Sequence, residues 1–194
     1  MLTDLFTTDS SALLVVIFDD GIVDVSMLGI DADGSFTVES TASVNTVVEL
    51  RLSEAPTGWS TAVDEGGTVY VAGDGLGILR FTQHIKENYP ALDWSLLETS
   101  QDATSTSSSR LVANNGFLLH SQFEGAIGTV QVSSISNASH RDGITGSDES
   151  FGACLATVGD LVVVGEPLSQ QVHLFTYVIG KSDSMLNGCD TLCT

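Results

Sequence analysis

An all-β chain is what this sequence predicts: a β-propeller-like array of about four four-stranded antiparallel blades, partial or incomplete as a ring. Three observations lead there. Short apolar runs are separated by turn residues along all 194 positions. One strand–turn–strand order returns with starts at Leu13, Val69, Phe117 and Leu161, which are 56, 48 and 44 residues apart. No stretch of normal helical length shows amphipathic helical spacing. A Greek-key sandwich would also supply short strands, but not one order at nearly constant offsets.

The unit at 150–179 is the clearest. Cys154–Ala156, Leu161–Val164 and Val172–Phe175 are apolar runs separated by Val158-Gly159-Asp160 and by Gly165–Gln170, hence strand, tight turn, strand, loop, strand. Its second strand aligns with Phe117–His120, Val69–Ala72 and Leu13–Val16, all apolar enough to require cover on both faces. First strands open near Leu155, Leu111, Val63 and Thr7, and the links Glu65-Gly66-Gly67, Asn114-Asn115-Gly116 and Val158-Gly159-Asp160 hold residues that tolerate positive φ. Third strands are Ile22–Val25, Ile78–Phe81, Thr129–Val132 and Val172–Phe175.

Outer strands are expected at Thr46–Leu52, where Val48, Leu50 and Leu52 alternate with Val47, Glu49 and Arg51, and at Trp94–Glu98. Ser139–Ile144 is the polar candidate in the third unit. The best helical stretch, His84–Leu92, is interrupted by Pro90. The blades then run approximately over 1–57, 58–106, 107–149 and 150–179, followed by a polar, Cys-containing tail at 180–194. No outer strand is found for the last unit, so an open arc or a strained ring is expected, with that tail poorly packed.

Composition bounds the partners. Six Lys+Arg against 25 Asp+Glu leave a net charge of -19, from which no basic patch can be assembled, which argues against nucleic acid or anionic membrane as a partner. At 16% charged residues the acidity reflects scarce cations, and it serves solubility before it marks a binding surface. The longest apolar run, Ala12–Phe18, is too short to cross a bilayer, so no direct membrane insertion is expected. Residues 1–11 carry Asp4 and Asp9 and no cation, unlike a secretory signal, and the chain reads as cytoplasmic or as an internal piece. Cys154 sits in an apolar strand and reads as a small buried hydrophobe. Cys189 and Cys193 are compatible with a disulfide, with a contact to a further segment, or with two free thiols.

Ser150-Phe151-Gly152-Ala153-Cys154-Leu155-Ala156, then Gly159–Pro167, then Gln171–Phe175 resembles the FG-GAP repeat of integrin α-chain-like β-propellers. Gly165-Glu166-Pro167 stands where that family has Gly-Ala-Pro, and Trp94–Thr99 resembles the tryptophan-bearing outer strand of such repeats. Phe-Gly and the near Gly-Ala-Pro occur together only in the last unit; the second keeps Gly73, and the remainder agrees in rhythm. The resemblance implies a non-catalytic binding or adhesion module, part of a larger extracellular or cell-surface protein, with a protein or glycan ligand and no cofactor. The competing expectations are the propeller portion of a secreted enzyme, glycan-cleaving or redox, and a structural spacer without ligand. Many FG-GAP repeats hold Ca²⁺ in an Asp-rich loop between the first and second strands. Here those links, Thr8–Ala12, Asp64–Thr68, Val112–Gly116 and Ala156–Asp160, are too short and too poor in carboxylates, so no metal site is carried over.

Catalytic and metal sets are not found in the sequence. Asp31-Ala32-Asp33-Gly34-Ser35 begins like an oxygen-ligand loop but lacks the third acid and the distal Glu, and reads as an Asp-Gly turn. His84, His120, His140 and His173 have no partner at metal-ligand spacing and read as strand or loop residues; a Gly-x-Ser-x-Gly elbow is missing. The expected binding rim is the set of second-to-third-strand loops, Asp19-Asp20-Gly21, Asp74-Gly75 and Gln122–Gly125, which emerge on one side of the blades. Asp19, Asp20, Asp74 and Glu124 are its candidate binding residues. Asn137-Ala138-Ser139 is an N-glycosylation sequon, which matters on a secretory route. The polar run Ser100–Ser109 joins one blade to the next.

Overall fold

The computed structural model of the chain describes residues 1–7, 11–98, 110–114, 116–124, 126–135, 141–177 and 186–193. Blade 1 is β1 (Leu2–Thr7), β2 (Ser11–Ile17), β3 (Ile22–Ile30) and β4 (Phe36–Asn45), followed by a helical turn, α1 (Thr46–Glu49). Blade 2 is β5 (Ser60–Val63), β6 (Val69–Gly73), β7 (Gly77–Lys86) and β8 (Tyr89–Glu98). Blade 3 is β9 (Leu111–Asn114), β10 (Phe117–Glu124), β11 (Ile127–Ser134) and β12 (Arg141–Thr145). Blade 4 is β13 (Cys154–Val158), β14 (Leu161–Glu166), β15 (Gln171–Tyr177) and β16 (Leu186–Cys193). Each blade is one antiparallel sheet of four strands in chain order, so the chain is all-β, a propeller-like array of four four-stranded blades.

Successive sheets face one another. First strands lie side by side: Thr61 Oγ1 of β5 donates to Asp4 Oδ2 of β1, the Leu111 N–H of β9 donates to Ser60 Oγ of β5 at 3.0 Å, and Asn114 Nδ2 of β9 donates to the Gly159 carbonyl beside β13 at 2.7 Å. Between blades 1 and 2 the core is Leu13, Val15, Val25, Val69, Val71 and Phe81 with their neighbours. Between blades 2 and 3 it is Ala62, Tyr70, Ala72, Ile78, Leu111 and Leu118. Between blades 3 and 4 it is Leu119, Val130, Val132, Phe151, Val162, Val164 and Phe175.

Second and third strands fall where the apolar runs place them. The faces carry one correction. Leu13 and Leu119 point to the following blade, whereas Val69 and Val71 point back to blade 1 and Tyr70 points forward, so blade 2 is offset by one residue from the alignment. A longer link causes it: the Asp64 N–H bonds the Thr68 carbonyl across the turn, whereas Val158 and Leu161 pair across only two residues. For the same reason Val63 and Thr7 close their first strands rather than open them.

Other expectations are corrected outright. Thr46–Leu52 is not a strand: Asn45 caps α1 by accepting the Val48 N–H at 3.1 Å, and the Leu50 N–H bonds the Thr46 carbonyl. The helical turn still brings Leu50 and Leu52 onto the blade 1–2 core, which is why their alternation mimicked a strand. The outer strand is instead the polar β4. The second face of Leu161–Val164 is not covered, since Leu161 is exposed while Val162 and Val164 are buried. The stretch read as a tail holds β16, which pairs with β15 and completes blade 4. Ser139–Ile144 overlaps β12, which runs one residue further, to Thr145, and His84–Leu92 spans a long hairpin whose turn residues Glu87 and Asn88 both have positive φ, at 52° and 69°.

Candidate functional site

Antiparallel order puts the second-to-third-strand loops and the connections between blades on one rim. The candidate residues on it have different surroundings. Asp19 is open, 92% exposed at its side chain, and meets the Met1 amino nitrogen at 2.5 Å. Asp20 is exposed and accepts the Ile22 N–H at 3.3 Å, an Asx turn that shapes the β2–β3 loop. Asp74 is half-buried: its Oδ2 accepts Thr57 Oγ1 at 3.1 Å and its backbone N–H bonds the Thr57 carbonyl at 2.8 Å, tying the β6–β7 loop to the segment entering blade 2. It is therefore a structural tether and not a freely exposed carboxylate. Glu124 ends β10 opposite Ile127 rather than lying in a loop. Asn137 and His140 lie outside the described residues.

The densest polar group on this rim was not anticipated. Glu166, at the end of β14, is 0% exposed. Its Oε1 accepts the Ser147 N–H at 2.6 Å, Ser147 Oγ at 2.8 Å and the Asp148 N–H at 2.9 Å, and its Oε2 meets His173 Nε2 at 2.8 Å. Burial alone would raise the Glu166 pKa, but His173, Ser147 and the two backbone amides together hold it below the usual carboxylate value. Asp148 accepts the Ser150 N–H at 2.7 Å and Ser150 Oγ at 2.6 Å, and also Ser169 Oγ; these hydroxyls lower its pKa as well. Ser150 Oγ accepts the Leu168 N–H at 2.9 Å. The 147–150 connection is thus stitched to the β14–β15 loop, and through the Gly128 N–H to the Asp148 carbonyl, at 2.8 Å, it is also joined to blade 3.

Phe151 completes this joint. It is buried in the blade 3–4 core, edge-on to His173 with ring centroids 5.2 Å apart. A Cβ on Gly146 would stand 2.1 Å from the Phe151 Cβ, so only glycine fits beneath the ring. Gly152 turns the chain into β13 with φ 88°, a conformation that favours glycine.

Within this cluster His173 is not placed as a base for Ser147. Ser147 and His173 bind opposite oxygens of Glu166, so the carboxylate separates the hydroxyl from the imidazole, where nucleophilic catalysis requires the base on the hydroxyl. Among the other histidines, His84 meets Asp93 Oδ2 at 3.5 Å on the surface. His120 is buried in β10 with neither ring nitrogen bonded, and burial pushes it down to about 4. The 31–35 segment is a turn, with Ser35 donating to Asp31 and Asp33. Among the described residues no three His, Cys, Asp or Glu side chains group as metal ligands.

No family model and no curated protein matches the chain. Among solved structures it is similar to a GH43 glycoside hydrolase, described as engineered to display both endo-xylanase and exo-arabinofuranosidase activity, with 10% sequence identity and a TM-score of 0.43. The likeness covers 91% of this chain and 37% of that chain, so this chain spans well under half of its neighbour's length.

Proposed function

We infer that this chain is a non-catalytic binding or adhesion module of an FG-GAP-like propeller, part of an extracellular or cell-surface protein, and that it meets a protein or glycan ligand through the rim bearing Asp19 and Asp20. The observation that carries the reading is a division on that rim. Its close-set acid, hydroxyl and imidazole groups are bonded to one another in a part-buried joint, whereas Asp19, paired with the Met1 amino group, keeps 92% of its side chain exposed. The seating of Phe151 and Gly152 between blades 3 and 4 supports the repeat assignment, because it gives the Phe-Gly pair a job in joining blades. With a net charge of -19, the complementary ligand is neutral or cationic.

The test is retention on an array of immobilised glycans and on a panel of basic proteins. The Asp19→Asn/Asp20→Asn variant should lose at least about threefold in retention, as should the unmodified protein when salt is raised to about 0.5 M. Equal retention by the variant, or release of reducing sugar from polysaccharides that Glu166→Gln abolishes, would put an enzyme in place of the binding module.

A further inference from the structure

His120 lies inside the joint between blades 2 and 3. In β10 it shares a face with Leu118, opposite Leu111 of β9 and Gln131 of β11, and Leu118 and Leu111 pack with Ala62, Tyr70, Ala72 and Ile78. Neither ring nitrogen has a hydrogen-bond partner among the described residues. The Gln131 Oε1 is also buried without one, while Gln131 Nε2 donates to Gln122 Oε1 at 2.8 Å. An imidazole so enclosed has no acceptor for the added N–H that protonation would bring.

The ionisable groups of the facing strands are engaged elsewhere. In blade 2 the Tyr70 hydroxyl donates to Asp64 Oδ2 at 2.9 Å, Arg80 Nε donates to Ser95 Oγ at 3.2 Å, and His84 meets Asp93 Oδ2 at 3.5 Å on the β7–β8 hairpin. In blade 3 Arg110 Nε donates to the Ala153 carbonyl at 3.4 Å, on the blade 4 side, and Glu124 and Arg141 stand at the register positions opposite Ile127 and Ser133. Burial therefore acts on His120 without a charge to offset it and pushes it down to about 4. Solvated, the ring has its ordinary 6.5, so between those values a proton favours whichever arrangement opens the ring to water.

The flanking joints are built differently. Blades 1 and 2 meet through large side chains such as Leu13, Leu79 and Phe81, and blades 3 and 4 are fastened by Phe151 and by the hydrogen-bonded Glu166. The joint between them holds two alanines, Ala62 and Ala72, and is crossed by the Leu111 N–H donating to Ser60 Oγ at 3.0 Å.

We propose that the joint between blades 2 and 3 is an acid-sensitive hinge: protonation of His120 parts blades 1 and 2 from blades 3 and 4 locally, with each pair still folded. This does not rest on the rim ligand, and it is narrower than a loss of global stability because it names the joint that yields first.

Hydrogen exchange of the isotope-labelled chain, followed by NMR and corrected for intrinsic rates, tests it with two amides. The Leu111 N–H reports on the hinge through its Ser60 acceptor, and the Gly128 N–H reports on the next joint through the Asp148 carbonyl at 2.8 Å. Lowering pH from about 7.5 to about 5 should cut Leu111 protection about thirtyfold, the ratio set by a ring pKa of about 4 when shut and 6.5 when open. At the lower pH Leu111 should exchange faster than Gly128, with a urea dependence well below that of global unfolding. His120→Leu and His120→Gln, neutral at both pH values, should each abolish the change at Leu111, and in the unmodified chain the His120 ring should titrate together with it. Constant Leu111 protection while the ring titrates would overturn the proposal, as would a pH response that persists in a folded neutral variant. Equal protection and equal urea dependence at Leu111 and Gly128 would mean that the blades open as one, and would equally overturn it.

Discussion

The joint between blades 3 and 4 and the joint between blades 2 and 3 each bury a titratable side chain, with opposite provision for it. Glu166 enters the first with three donors on one oxygen and His173 on the other, so it is held in its charged form. His120 sits in β10, opposite Leu111 of β9 and Gln131 of β11, with no bond to either ring nitrogen, and is held neutral. The difference teaches that burial sets the direction of a pKa only until hydrogen bonds are counted. It also assigns the two joints different pH windows.

The largest expected effect comes from removing the apolar half of the first joint. Phe151→Ala leaves a cavity between sheets and should cost about 4 kcal/mol, read by urea unfolding as a lower midpoint with an unchanged slope. Glu166→Ala should cost about 3 kcal/mol, because the Ser147 and Asp148 amides and His173 then lose a buried acceptor. With its folded pKa below the ordinary 4.5, the stabilisation by Glu166 is complete above that value and disappears as pH falls through the lower folded pKa.

The second joint should respond earlier in a titration. His120 has a folded pKa of about 4 against an ordinary 6.5, so protonation favours the unfolded chain. Stability should decline as pH drops from 6.5 toward 4, by on the order of 3 kcal/mol in all, and His120→Leu should flatten that slope without touching the carboxylate window. If unfolding free energy is constant across that interval, the contrast between the joints is wrong. The smallest effect is expected at the rim: Asp19→Asn/Asp20→Asn should change stability by less than about 0.5 kcal/mol.

Much of this architecture was legible because second and third strands are apolar enough to stand out against Gly, Asn and Asp turns. Outer strands were less so. In β4, Phe36 and Val38 are exposed among polar residues, and the alternation that looked like the strand belonged to a capped helical turn after Asn45. Facing was lost in blade 2 because a turn one residue longer changes which side Val69 takes without changing its apolar character. The Glu166 joint was hidden for a different reason. Its donors lie 18 and 19 residues upstream, in a serine-rich connection that reads as an ordinary loop until the fold brings it over β14. An acid between Gly165 and Pro167 at the end of an apolar strand was the available signal.

In the proposed function the clustered acid and imidazole form a joint while the exposed rim carboxylates Asp19 and Asp20 meet the ligand. Measuring retention per folded molecule alongside unfolding free energy for Glu166→Gln and for Asp19→Asn/Asp20→Asn tests it most directly. The expected result is a crossing: the first variant is less stable and still binds, and the second is as stable as the unmodified chain and binds at least about threefold more weakly. If Glu166→Gln instead abolishes binding or turnover while stability is unchanged, the cluster is the functional site and the claim is contradicted.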